Sequence, residues 1–175
     1  MFPIPSHLRS IFIPADERIS EGLLIGIIQC PCGSNEFQLV YPGQTIEFQE
    51  KKLPCDIEIG GHCYFVIKLE CCKCRAQHLL FDADFHGWDG VMCHDVEKAS
   101  LPRPPLIQWR CLSCGALPHK VAVKIALESK ENFVEQAGGE FADDRWPDAF
   151  QWIWITITCC NCGLETRDWV DYETE

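Results

Sequence analysis

The sequence predicts a mainly β chain with small helices, folded as two β units in tandem, each nucleated by four cysteines. Three observations carry that expectation. Short cysteine turns recur in answering pairs. Cys30-Pro31-Cys32-Gly33 is matched by Cys71-Cys72-Lys73-Cys74, and Cys111-Leu112-Ser113-Cys114-Gly115 by Cys159-Cys160-Asn161-Cys162-Gly163. Apolar and β-branched runs lead into these turns. Between the two sets lies Leu101-Pro102-Arg103-Pro104-Pro105, whose prolines stop both helix and central strand. The expected organisation is an N-terminal unit over 1–95 with 1–20 as a packing arm, a Pro-rich linker over 96–108, and a C-terminal unit over 109–175.

Taken in order, 1–20 is punctuated by Pro3, Pro5 and Pro14, leaving room for one short helix over 6–13. Residues 22–29 read as a buried strand entering the first cysteine turn. Pro42-Gly43 suits a type II turn and predicts a hairpin of 37–41 with 45–49. Gly60-Gly61 predicts a second hairpin of 55–59 with 62–70, whose last strand runs into Cys71. In the second half, 121–128 alternates apolar and polar residues as a half-buried strand does. Ser129 caps a helix through Ala137 that Gly138-Gly139 ends. Residues 150–158 form a strand feeding Cys159, and 164–172 closes the sheet. The Cys-Cys-x-Cys segments stand 88 residues apart, each after an apolar strand, so the halves repeat one unit.

Thirteen cysteines in 175 residues imply either a disulfide framework or metal sites. The N-terminus lacks a basic start followed by a long apolar run, no uncharged run is long enough for a membrane span, and an odd count cannot pair completely. Close Cys pairs are the spacing of tetrahedral zinc ligands: one pair wraps each side of the ion. The expectation is a cytoplasmic protein with two structural Zn²⁺ ions.

Paired cysteine turns at strand ends resemble the zinc-ribbon fold group, here in tandem. The resemblance implies as ligands Cys30, Cys32, Cys71 and Cys74 in one site, and Cys111, Cys114, Cys159 and Cys162 in the other. The first turn departs from the pattern by being one residue shorter. Cys72 and Cys160 stand beside the outer cysteines as alternative ligands, and are read as packed thiols.

Net charge is −11, with 7 basic against 13 acidic residues over 1–95 and 8 against 13 over 96–175. Phosphate backbones are held by clusters of Lys and Arg, so this balance disfavours a nucleic-acid-binding zinc ribbon. It favours a basic protein partner, and the leading expectation is a non-enzymatic interaction module, in one form an inhibitor or immunity-type protein. The alternative is an enzyme using the Asp, His and Cys side chains of 78–95, among them Asp82, Asp84 and His86. Cys55, His62, Cys63, Cys93 and His94 are candidates for a third metal site. No Walker loop, dinucleotide fingerprint, Gly-x-Ser-x-Gly or His-Glu-x-x-His is present. Trp152 and Trp154 alternate with Ile153 and Ile155. One set faces the core, and the other meets the companion unit or forms an exposed patch.

Overall fold

Alternating patterns in this chain build strands; among the described residues nine of them join into one sheet, while two further pairs form separate hairpins. The computed structural model describes residues 3–15, 22–93 and 102–174. Its strands are β1 (Phe12–Pro14), β2 (Leu23–Ile28), β3 (Phe37–Tyr41), β4 (Thr45–Phe48), β5 (Lys51–Pro54), β6 (Ile57–Ile59), β7 (His62–Tyr64), β8 (Val66–Cys71), β9 (Gln77–Asp82), β10 (Ile107–Gln108), β11 (Pro118–Ala126), β12 (Trp152–Cys159) and β13 (Glu165–Glu173). Helix α1 spans Gly87–Met92 and α2 spans Lys130–Ala137, with 3-10 turns at Ser6–Leu8 and Asp143–Asp148. No helix among the described residues is long and apolar enough to cross a membrane.

Strand β11 is the hub. Along one edge it pairs with β12, from His119 opposite Cys159 to Ala126 opposite Trp152. Its other edge is shared: Ala122–Ala126 pairs with β2, and Pro118 and His119 pair with Gln38 and Phe37 of β3. β2 and β3 therefore lie end to end, with the first cysteine turn looped out between them. Beyond β3 come β8 and β9; β10 joins β3, β1 flanks β2, and β13 flanks β12. All these pairings are antiparallel, and strands from both sides of the Pro-rich stretch share the sheet.

The core follows from the alternation. Ile153, Ile155 and Ile157 of β12 and Val121, Val123 and Ile125 of β11 are buried together with Phe37, Leu39, Ile67, Leu69, Leu24 and Ile28. The sheet curls so that its outer hairpins meet over this core: Tyr172 stacks on Phe65 with ring centroids 4.9 Å apart, and Trp109 meets Trp169 edge-on at 5.1 Å. Helix α1 is tied to the second half through Trp88 N–H to Phe150 O at 2.9 Å and Asp89 N–H to Thr174 O at 2.8 Å. Gly87 opens this helix at φ +79°, and a Cβ there would lie 2.4 Å from the Thr174 side chain, so only glycine fits. Ser129 Oγ accepts the Asn132 amide at 3.0 Å, and Gly138 closes α2 in the left-handed conformation.

Several expectations need correction. Strand β3 forms no hairpin with β4 across Pro42-Gly43, because β8 takes one of its edges and β11 with β10 take the other. The hairpin is instead β4 with β5, turning at Gln49 and Glu50, both at positive φ. The turn at Gly60-Gly61 does join β6 to β7. The N-terminal helix is only the 3-10 turn Ser6–Leu8, since the aromatic and β-branched residues after Ile11 enter β1. Strand β2 is not buried on both faces: Ile25 is 51% and Ile27 45% exposed, because nothing among the described residues covers the sheet's outer face there. Trp152 and Trp154 lie half-buried on that face, stacked on each other at 5.6 Å, with the Lys124 ammonium 3.9 Å above the Trp154 ring. Residues 94–101, and with them His94 and most of the first part of the linker, lie outside the described residues.

Candidate metal centres

Each of the two centres is built from two strand ends. Cys30 and Cys32 sit in the turn between β2 and β3, while Cys71 ends β8 and Cys74 lies in the turn to β9. Cys111 and Cys114 stand between β10 and β11, while Cys159 ends β12 and Cys162 lies in the turn to β13. Within each group of four, all Sγ atoms lie within 4.8 Å of one another, so each group could hold a metal ion. Cys30 and Cys74 stand 3.5 Å apart; Cys32 and Cys71, Cys111 and Cys162, and Cys114 and Cys159 stand 3.6 Å apart. A disulfide needs about 2.05 Å. Sulfurs around a tetrahedral ion bound at about 2.3 Å are about 3.8 Å apart, and the observed separations fit that case.

The turns are held by a repeated pair of backbone hydrogen bonds. Arg75 N–H donates to Cys71 O at 3.0 Å, Gly115 N–H to Cys111 O at 2.8 Å, and Gly163 N–H to Cys159 O at 3.0 Å. In each, the cysteine's own N–H donates five residues on, to Ala76, Ala116 and Leu164, all at 2.9 Å. The first turn keeps both bonds in a ring one residue shorter: Gly33 N–H to Cys30 O and Cys30 N–H to Ser34 O, each 2.8 Å. Residues 33, 75, 115 and 163 all take positive φ, three as glycine and one as arginine.

Charge supports a cation at each centre. At Cys71 burial opposes ionisation, but the amides of Cys74 and Lys73 and the thiols of Cys32 and Cys74 outweigh it and lower its pKa to about 6. At Cys114 the Ala116 amide and the Asn161 side chain lead, and the pKa falls to about 6. Burial, with the neighbouring thiols, pushes Cys30 up to about 12. At Cys162 the Leu164 amide favours the thiolate, yet burial and the surrounding thiols raise the pKa to about 11. One thiolate thus forms readily in each group, while Cys30 in the first and Cys162 in the second hold their protons more tightly than an ordinary thiol.

The structure separates the remaining candidates from these centres. Cys72 and Cys160 belong to neither group; their amides donate to Glu36 O and Pro118 O at 3.0 Å, pinning each Cys-Cys-x-Cys turn to the next strand. No third group of three such side chains converges among the described residues, so Cys55, His62, Cys63 and Cys93 form no such centre there. Asp82, Asp84, His86 and His62 are engaged with one another and with the linker. Arg103 donates to Asp82 at 2.5 Å and to Asp84 at 2.8 Å, and His62 bonds Asp84 at 2.7 Å. Burial raises the Asp82 pKa in spite of Arg103. His86 accepts the Asp82 amide at 3.0 Å and stacks on His7 at 3.6 Å, interplanar 6°.

Sequence reading missed Phe37 and His119. They pair with each other, while Phe37 also pairs with Cys71 and His119 with Cys159, so one row of residues across the sheet joins the two centres. The signal was there: each stands five residues after the second cysteine of its turn, Cys32 or Cys114. No protein-family model matches this chain, and no curated protein or solved structure shows significant similarity to it.

Proposed function

We propose that the protein is a non-enzymatic interaction module, held together by two structural Zn²⁺ ions, that binds a basic protein partner in a reducing, cytoplasmic setting. The observation that carries this reading is the pair of four-sulfur groups at tetrahedral spacing. Zinc suits an all-thiolate tetrahedron, and four thiolates leave no open position for water or substrate, so the ions serve architecture rather than catalysis. Thirteen cysteines without a disulfide among them fit a reducing compartment. Net charge of −11 favours encounter with a basic surface.

The outer face of β2, β11 and β12 supports a protein as the partner. Ile25, Ile27, Trp152 and Trp154 lie there with Asp171, which accepts the Trp152 indole N–H at 2.6 Å. Apolar and aromatic groups edged by charged side chains, here Asp171 and Lys124, are the composition of a binding patch. An inhibitor that covers a basic, nucleic-acid-acting enzyme is one form this takes. Cross-linking of the zinc-loaded protein, followed by a binding titration with the captured partner, tests the reading. The partner should be basic, its affinity should fall as salt rises, and the W152A/W154A variant should bind it at least tenfold more weakly. An acidic partner, or salt-insensitive binding, contradicts the proposal.

A further inference from the structure

The two halves are related by a local twofold that passes between β3 and β11. Phe37 corresponds to His119, Cys71 to Cys159 and Cys72 to Cys160, and the pairings of one set reproduce those of the other. Even the irregularities match: β8 breaks register with β9 between Ile67 and Lys68, and β12 with β13 between Ile155 and Ile157. Gln29 and Arg110, each just before a first cysteine, reach the carbonyls of Gly33 and Gly115 at 3.4 Å.

The strands leading into the first cysteine turn of each half pair across to the other half, β2 while also keeping β1 on its far edge. β2, which delivers Cys30 and Cys32, pairs with β11 of the second half over Leu23–Ile27. β10, which delivers Cys111 and Cys114, pairs with β3 of the first half, and Trp109 N–H extends the exchange to Leu39 O at 2.8 Å. Each centre is therefore completed by backbone that the other half holds in place.

We infer that the two metal centres load as one unit, filling of either raising the affinity of the other. The inference rests on the metal reading above and adds a coupling to it. When a site is unformed in the unfolded chain, metal binding is also folding. An ion at Cys30, Cys32, Cys71 and Cys74 orders β3, and β3 supports the strand that presents Cys111 and Cys114. An ion in the second centre orders β11, and β11 supports β2. Reciprocity is required of any such coupling, and the exchange supplies it structurally.

Native mass spectrometry of the reduced, metal-free protein, given one equivalent of Zn²⁺ per chain, reads the coupling directly. Coupled centres leave mostly metal-free and two-zinc chains. Independent equal centres put about half the chains in the one-zinc state, and unequal ones put more there. A dominant one-zinc species overturns the inference, while two zincs at saturation would still uphold the metal reading. Failure to retain any zinc at saturation overturns both. A second measurement uses the C111S/C114S variant and a chromophoric chelator. Affinity at the first centre should fall at least tenfold, and a first centre that keeps its wild-type affinity overturns the inference.

Discussion

The first turn, Cys30-Pro31-Cys32, and the third, Cys111-Leu112-Ser113-Cys114, differ in length yet place their sulfurs alike. Both close with an amide donating to the first cysteine's carbonyl at 2.8 Å, from Gly33 in one case and Gly115 in the other. Both put a glycine at positive φ after the second cysteine. The second and fourth turns offer a converse comparison. Their lengths agree, but Arg75 at φ +64° stands where Gly163 takes φ +74°. What the four turns share is the direction of the amides and the placement of sulfur. Residue count and residue type vary around that requirement.

The largest effect that sharpens the comparison is loss of ligands. Replacing Cys71 and Cys74 together by Ser, or Cys159 and Cys162 together, removes thiolates whose metal contributes on the order of 10 kcal/mol per site to folding. Both double variants should lose the β-sheet circular dichroism signal at neutral pH. A variant that keeps the full signal without metal would show that its centre is dispensable.

A smaller effect distinguishes the halves by pH, since the His7–His86 stack fastens the N-terminal segment to β9 and α1 and is not repeated elsewhere among the described residues. Burial, then the neighbouring His86, lowers the His7 pKa to about 3, with Leu80 O and Asp148 opposing. Burial lowers His86 to about 4. Both folded-state values lie below the ordinary 6.5, so below that pH the unfolded chain binds more protons. Their contribution is fully present above pH 6.5 and is lost as pH falls toward 4 and 3. Urea unfolding should show the H7F/H86F variant losing less stability than the parent between neutral pH and pH 5. Equal losses would remove the histidines from the account. The thiols titrate in both proteins and cancel in the difference.

The smallest effect tests the turn comparison itself. A non-glycine residue in the left-handed region costs roughly 1 kcal/mol. The Arg75 ion pair to Glu70 at 2.6 Å joins an exposed guanidinium to a half-buried carboxylate and offsets about half of that. Arg75→Gly should therefore stabilise the zinc-loaded protein by about 0.5 kcal/mol, read as a raised urea midpoint at unchanged slope. Destabilisation by a similar amount would mean the arginine has a role the turn geometry does not reveal.

The centres were legible in the sequence because each half of a tetrahedral site is local. Two cysteines within four residues, a strand entering the turn and, in three of the four turns, a glycine just after are all short-range signals. The same holds for the Ser129 cap and the Gly60-Gly61 turn. Strand partners are a different matter. That β2, with β1 on one edge, takes β11 rather than β3 on the other depends on which edges remain free once β3 and β12 are placed, and no local pattern records it. The β4–β5 hairpin escaped for a related reason: Gln49-Glu50 lacks the Asn-Gly or Gly-Gly signal that such a turn usually carries. Burial on β2 was overestimated because a run such as Leu-Leu-Ile-Gly-Ile-Ile reads alike whether one face or both are covered. The His7–His86 stack joins residues far apart in sequence and has no signature short of the fold.

Metal analysis of the reduced protein, purified without chelator, tests the central claim most directly. Two divalent ions per chain, with the eight cysteines of the two groups protected from alkylation and the other five open to it on partial unfolding, is the predicted result. A chain that carries no ion, with its cysteines recovered as disulfides, would contradict it.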